Sequence, residues 1–193
     1  MVHVSKLLIP ILFIIVASLD VAKAVEVSDL GATDLTLQHI TASINYLWST
    51  TINDEVWMCE EPCNGTWEPV DGYLKQLDAS DTEVWGIDSG NAVYKAPIDG
   101  SANWTSIPGS MKHISASGNG YIWALDSESS VVHKCKKPCT GEWEAVPPVN
   151  GGRQVIRQLD GEYGLVYAVT SSGEVYSRPV DGSGRWRKIT GPG

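Results

Sequence analysis

Four aromatic residues recur along the chain, Trp48, Trp85, Trp123 and Tyr167, at spacings of 37, 38 and 44 residues. Asp88 and Asn91 follow Trp85, and Asp126 follows Trp123, each in a stretch of turn-forming residues. A carboxylate or amide beside an aromatic ring suits sugar recognition. The polar groups take hydrogen bonds from vicinal hydroxyls or an acetamido N–H, and the ring offers a flat apolar face to a pyranose. Trp48, Trp85, Asp88, Asn91, Trp123, Asp126 and Tyr167 are therefore the candidate carbohydrate-binding residues. Each also has a structural reading, because packed sheets need large flat residues between them and Asp in a turn bonds its own backbone.

Other chemistry is thinly represented. No G-x-S-x-G elbow, H-E-x-x-H pair or Gly-rich phosphate loop occurs. His39 and His113 occupy repeated positions, and Asp78, Asp88, Asp126 and Asp160 are spread over the repeats and not paired locally. These features predict a protein that is not an enzyme and needs no cofactor or metal. The four cysteines allow three pairings. Each of Cys59/Cys63 and Cys135/Cys139 flanks a Pro in a short loop, which favours the local pairs. Zinc binding by four thiolates is the competing reading, and it conflicts with the separation of the two loops and with a secreted context. Asn64-Gly65-Thr66 and Asn103-Trp104-Thr105 are N-glycosylation acceptors.

The elements that must position these residues are short strands. Between residues 83 and 109, the runs Val84–Ile87, Ala92–Tyr94 and Trp104–Ile107 are rich in aromatic and β-branched residues, and turn chemistry separates them. With Leu74–Ala79 ahead of them they make a four-stranded unit. A second aromatic series, Trp67, Trp104, Trp143 and Trp186, follows the first by 19 or 20 residues in every unit. A period near 40 with four strands per period is what a propeller blade requires. The reading is an all-β propeller over 35–193, with blades at about 35–72, 73–110, 111–152 and 153–193, either closed as such or completed by oligomerisation. A two-blade period lies over the first. The first and third units carry His39, His113 and the Cys pairs, while the second and fourth carry Gln76, Gln158 and a Pro-x-Asp-Gly-Ser loop.

Ahead of the repeats, Lys6, the apolar run Leu7–Leu19 and Ala22-Lys23-Ala24 read as a secretory signal peptide over residues 1–24. A 13-residue run is short for a membrane span, and no later stretch is apolar enough for one. Residues 25–34 match no repeat and read either as a tail or as a strand added to the last blade. Without the two Lys and one Asp of the leader, the formal charge moves from −9 to −10. Such a charge opposes nucleic acid and anionic surfaces.

The units from Leu74 through Trp104-Thr-Ser-Ile-Pro-Gly resemble tectonin repeats, and the Cys-x-x-Pro-Cys-x-Gly-x-Trp elements at Cys59–Trp67 and Cys135–Trp143 are similar to those of the fish-egg-lectin branch. The resemblance covers nearly all of 35–190 and is looser in the first unit, at Ser49-Thr50-Thr51, and in the fourth, where Tyr167 replaces Trp. It implies a secreted β-propeller lectin for N-acetylated sugars such as N-acetylglucosamine, or for bacterial surface polysaccharide, acting in innate defence. Four units are fewer than the five or six usual in such lectins, which bears on ring closure. The alternative is a secreted protein-interaction module without sugar affinity, since fold alone does not fix function.

Overall fold

The computed structural model describes residues 36–116, 120–162 and 164–190; the leader at 1–24 and the segment 25–34 lie outside them. The described residues form fifteen β-strands and one short 3₁₀ turn, Val149–Gly152, with no α-helix. The first blade is β1 (Leu37–Ala42), β2 (Tyr46–Thr51), β3 (Glu55–Glu60) and β4 (Glu68–Tyr73), each antiparallel to the next. The last blade repeats that order with β12 (Ile156–Glu162), β13 (Leu165–Thr170), β14 (Val175–Pro179) and β15 (Arg187–Ile189).

The second and third units are joined. One seven-stranded sheet runs through β5 (Gln76–Ala79), β6 (Glu83–Ile87), β7 (Ala92–Pro97), β8 (Thr105–Ser115), β9 (Tyr121–Asp126), β10 (Val132–Lys136) and β11 (Glu144–Ala145). The first half of β8 pairs with β7 and closes the second blade, and the second half pairs with β9 and opens the third. Pro108-Gly109 lies at this hand-over. Gly109, with φ of +134°, lets the strand swivel from one blade to the next without a turn. Gly72 has the same φ near the end of β4, but there the ladder lapses over Leu74 and Lys75.

The blades stack radially in chain order, as in a β-propeller. β1 lies beside β5, β5 beside β8, and β8 and β9 beside β12; no comparable packing joins β12 back to β1 among the described residues. The four blades form an arc. Its apolar core is three clusters, one in each gap between neighbouring blades. Each gap is centred on an indole from the earlier blade: Trp48 against Leu77 and Val84, Trp85 against Ile114 and Ile122, Trp123 against Leu159 and Val166. The disulfides are the local pairs, Cys59–Cys63 and Cys135–Cys139. They clip loops within a blade and do not tie blades together.

Each inner strand pairs through one edge only, and in the second, third and fourth blades side chains of the preceding blade satisfy the other. The Ala79 N–H donates to Thr41 Oγ1 at 3.1 Å, Ala116 N–H to Asp78 Oδ2 at 2.6 Å, and Gly161 N–H to Ser115 Oγ at 3.0 Å. These are the same two positions in three successive blade pairs. The Gln76 carboxamide goes further and imitates a peptide. It donates to Ile114 O at 2.8 Å and accepts from Ile114 N–H at 3.1 Å.

His39 and His113 stand at the position of Gln76 in the first and third blades, and the Nδ1 atom of each is buried without a hydrogen-bond partner. Burial, then the proximity of His39, pulls the His113 pKa from 6.5 down to about 4; burial lowers that of His39 too. A histidine whose folded pKa is depressed binds its proton more readily in the unfolded chain. Its contribution is therefore held above pH 6.5 and lost as pH falls from 6.5 toward 4.

Two measurements check this account. The melting temperature should drop between pH 6.5 and 4, and His113→Gln, the residue used in the second blade, should flatten the drop; an unchanged slope would locate the acid sensitivity elsewhere. A Cβ at Gly109 would stand 2.7 Å from Trp143 Nε1, at a φ that side chains rarely adopt. Gly109→Val should therefore lower the unfolding free energy in urea by about 1–3 kcal/mol, with no change in urea midpoint as the contrary result.

Candidate functional site

Trp48, Trp85 and Trp123 are each 0% exposed. Trp48 Nε1 donates to Ile98 O at 3.1 Å and Trp123 Nε1 to Val180 O at 3.0 Å, so each pins its blade to the next one. Trp85 Nε1 donates to Glu83 Oε2 at 3.2 Å, with Lys95 Nζ 5.2 Å from the ring centre. In this arrangement the three indoles offer no face for a pyranose. Tyr167, at the end of the arc, is half-buried.

The polar candidates shape turns. Asp88 Oδ1 accepts from Ala92 N–H at 2.8 Å and Oδ2 from the Tyr94 hydroxyl at 3.3 Å; the Asp88 charge pushes the Tyr94 pKa up. Asn91 adopts φ of 69° in that turn, and its Oδ1 accepts from Lys75 Nζ. In the equivalent turn of the third blade, Asp126 Oδ1 accepts from Ser129 Oγ, Ser129 N–H and Glu128 N–H. These bonds, led by that from the Ser129 hydroxyl, hold its carboxyl below the usual range. The structure brings Asp88 and Asn91 into one turn and leaves Asp126 in another. Among the described residues, no group of three or more His, Cys, Asp or Glu is placed to hold a metal ion.

A groove lies at residues outside this set, on the outer side of the gap between the third and fourth blades. In each of the later blades the second aromatic of the unit reaches back to the outer strand of the blade before. Trp104 Nε1 donates to Asp71 O at 2.8 Å, Trp143 Nε1 to Pro108 O at 2.7 Å and Trp186 Nε1 to Pro147 O at 3.0 Å. In the first two cases a glycine, Gly72 or Gly109, follows that carbonyl or lies beside it and lets the indole settle close. After Pro147 comes Pro148, and the chain detours through the Val149–Gly152 turn, where Asn150 and Gly151 take φ of 48° and 64°. A cavity of about 590 Å³ opens there, lined by Pro148, Asn150, Arg178, Arg185 and Trp186.

Arg178 gives this groove its character. It replaces Ala96 of the second blade and Cys135 of the third at the same strand position, and it is 5% exposed. Its Nη2 donates to Gly182 O and Gly184 O, its guanidinium carbon lies 5.8 Å from the Trp186 ring centre, and Nε and Nη1 have no partner. Burial lowers its pKa, yet a guanidinium stays charged at neutral pH. The groove thus combines an indole, two guanidinium groups and an amide. The sequence carries a signal for it, the lengthening of the spacing from 37–39 to 43–44 residues before the fourth unit.

Comparison with known proteins places the architecture. The tectonin domain model matches residues 28–192. Lectin L6 of Tachypleus tridentatus is 46% identical over 87 residues, a stretch covering 45% of this chain and 39% of that protein. Among solved structures, human WBSCR16 superposes with a TM-score of 0.64 at 11% identity, over 84% of this chain and 55% of that one. Yeast RCC1 (Prp20), solved with Kap60, gives 0.62 at 11% identity over 89% and 53%. YCF48 from Cyanidioschyzon merolae gives 0.58 at 18% identity over 84% and 58%. At such identities the likeness is one of fold alone, and the chain spans little more than half of each structure. The repeats, the radial blades and the match over 28–192 together make this chain a member of the tectonin family.

Proposed function

We propose that this chain is a secreted carbohydrate-binding lectin that recognises N-acetylated sugars on microbial surfaces as part of innate defence, and that it works by binding and not by catalysis. The observation that carries the reading is the 46% identity to Lectin L6 of Tachypleus tridentatus over 87 residues, within a family match that spans the repeats. The leader read at 1–24 and the two disulfides support an extracellular setting, where such bonds persist. Asn64 and Asn103 are both exposed, as glycosylated acceptors would need to be.

The groove beside Trp186 is the principal sugar site in this proposal. Its indole supplies the apolar face, Arg185 donates to hydroxyls or to an acetamido carbonyl, Asn150 does either, and the buried Arg178 adds positive charge beneath them. Asp126 adds a weaker contact, since its local bonds all fall on Oδ1 and leave Oδ2 for a sugar hydroxyl; Asp88, Asn91 and Tyr167 contribute in their own blades. Several weak sites on one rigid arc favour clustered ligands, because the second contact forms at high effective concentration.

Chromatography on N-acetylglucosamine resin tests the reading. The wild type should be retained and released by free sugar, with polymeric ligand held far more firmly than monomer. Arg185→Ala combined with Asn150→Ala should weaken retention by roughly tenfold or more, at about 1 kcal/mol for each lost hydrogen bond. Asp88→Ala combined with Asp126→Ala should weaken it less. Passage of the folded wild type through the resin, or identical elution of all three proteins, would argue for a protein-interaction module instead.

A further inference from the structure

Three gaps between neighbouring blades lie within the described residues, and all three follow the same rules. The fifth residue of one inner strand accepts the backbone N–H of the sixth residue in the next: Thr41 from Ala79, Asp78 from Ala116, Ser115 from Gly161. The fourth residue of the later strand is sealed in the gap, with Leu77 and Ile114 at 0% exposure and Leu159 at 2%. The second aromatic of the later blade donates its indole N–H to a carbonyl of the earlier one.

The two ends of the arc carry the halves of a fourth such gap. On the first blade, Ile40 holds the sealed position yet is 39% exposed, and Ala42, the counterpart of fully buried Ala116, is exposed. On the fourth blade, Gln158 and Asp160 hold the places of Gln76 and Asp78 and are both exposed. One flank offers the acceptors, the other the donors and the apolar plug.

We propose that a second copy of this chain covers both flanks head to tail, the fourth blade of each copy seated against the first blade of the other. The two-blade period makes this pairing specific. A fourth blade built like the second, with Gln and Asp on its inner strand, meets a first blade built like the third, with His39 and the Cys59–Cys63 loop. The new gap repeats the one between the second and third blades: Asp160 accepts from Ala42 N–H, and Gln158 pairs with the Ile40 peptide as Gln76 does with Ile114. A head-to-tail contact either closes a ring or grows a filament. Propellers hold about four to eight blades, so two arcs of four close the ring and three exceed it.

Sedimentation equilibrium on the chain secreted from a host cell, freed of any glycan, tests this. The wild type should show twice the mass of one chain. Ile40→Arg and Asp160→Arg alter exposed side chains on opposite flanks, so each variant should keep its melting transition yet sediment as one chain. Mixed in equal amounts at high concentration, they should return to the two-chain mass, because each supplies the flank the other has lost. A wild type that sediments as one chain would overturn the proposal. So would a two-chain mass for either variant alone, or a mixture that stays at one chain while the wild type pairs, which would mean that like flanks meet.

Discussion

A strand that lines the axis of a radial array has one edge with no strand beside it. Its N–H and C=O groups point into a narrow interior, and each buried donor left unpaired costs about 1–3 kcal/mol. In this chain that constraint is met by side chains from the blade before: a threonine, an aspartate and a serine, each taking the same N–H of the following inner strand, and a glutamine that takes both groups of Ile114. The arrangement couples the blades, since every inner strand is complete only when its predecessor is in place. It also carries a cost. Burial pushes the Asp78 pKa up, against the bonds from Ala116 and Thr41 that pull it down, so the acceptor on which the second gap depends works against its own desolvation.

The indoles act on the same geometry from further out. Each gap is filled from one side by the first aromatic of the earlier blade and closed from the other by the second aromatic of the later one. Trp48 meets Trp104 edge to face at 6.1 Å, and Trp123 meets Trp186 at 6.3 Å. An interior fixed this way leaves adaptability to the outer grooves, where strand ends and loops vary without disturbing the stack. The detour after Pro147 is one such variation, and it converts a closed seam into a cavity holding two guanidinium groups.

The period was legible because those constraints repeat. A gap between blades needs a large flat residue at a fixed place in every unit, so Trp48, Trp85, Trp123 and Tyr167 mark the blades wherever the loops lengthen. The local disulfides were legible too, from two loops that reverse within five residues. The joining of two blades through β8 was not, because Gly109 and Gly72 share their conformation and only the pairing of the neighbouring residues separates a swivel from a break. Nor was the Trp186 groove. Its residues lie far apart in the chain, and Arg178 occupies a position filled by Ala or Cys elsewhere, where its charge reads as a surface residue. The regularity that exposes the fold works against the site: residues conspicuous for repeating are those the stack uses, and the groove is built from residues that break the pattern.

Amide hydrogen exchange at Ile114 and Ala116 tests the coupling of blades most directly. The Ile114 N–H sits on the unpaired edge of β8 and the Ala116 N–H just past its end, and they reach only side chains, Gln76 and Asp78. If those side chains complete the strand, the two amides exchange as slowly as those in the ladder between β8 and β9, and Gln76→Ala and Asp78→Ala each release the amide they hold. Exchange in the wild type as fast as in an exposed loop would contradict the account.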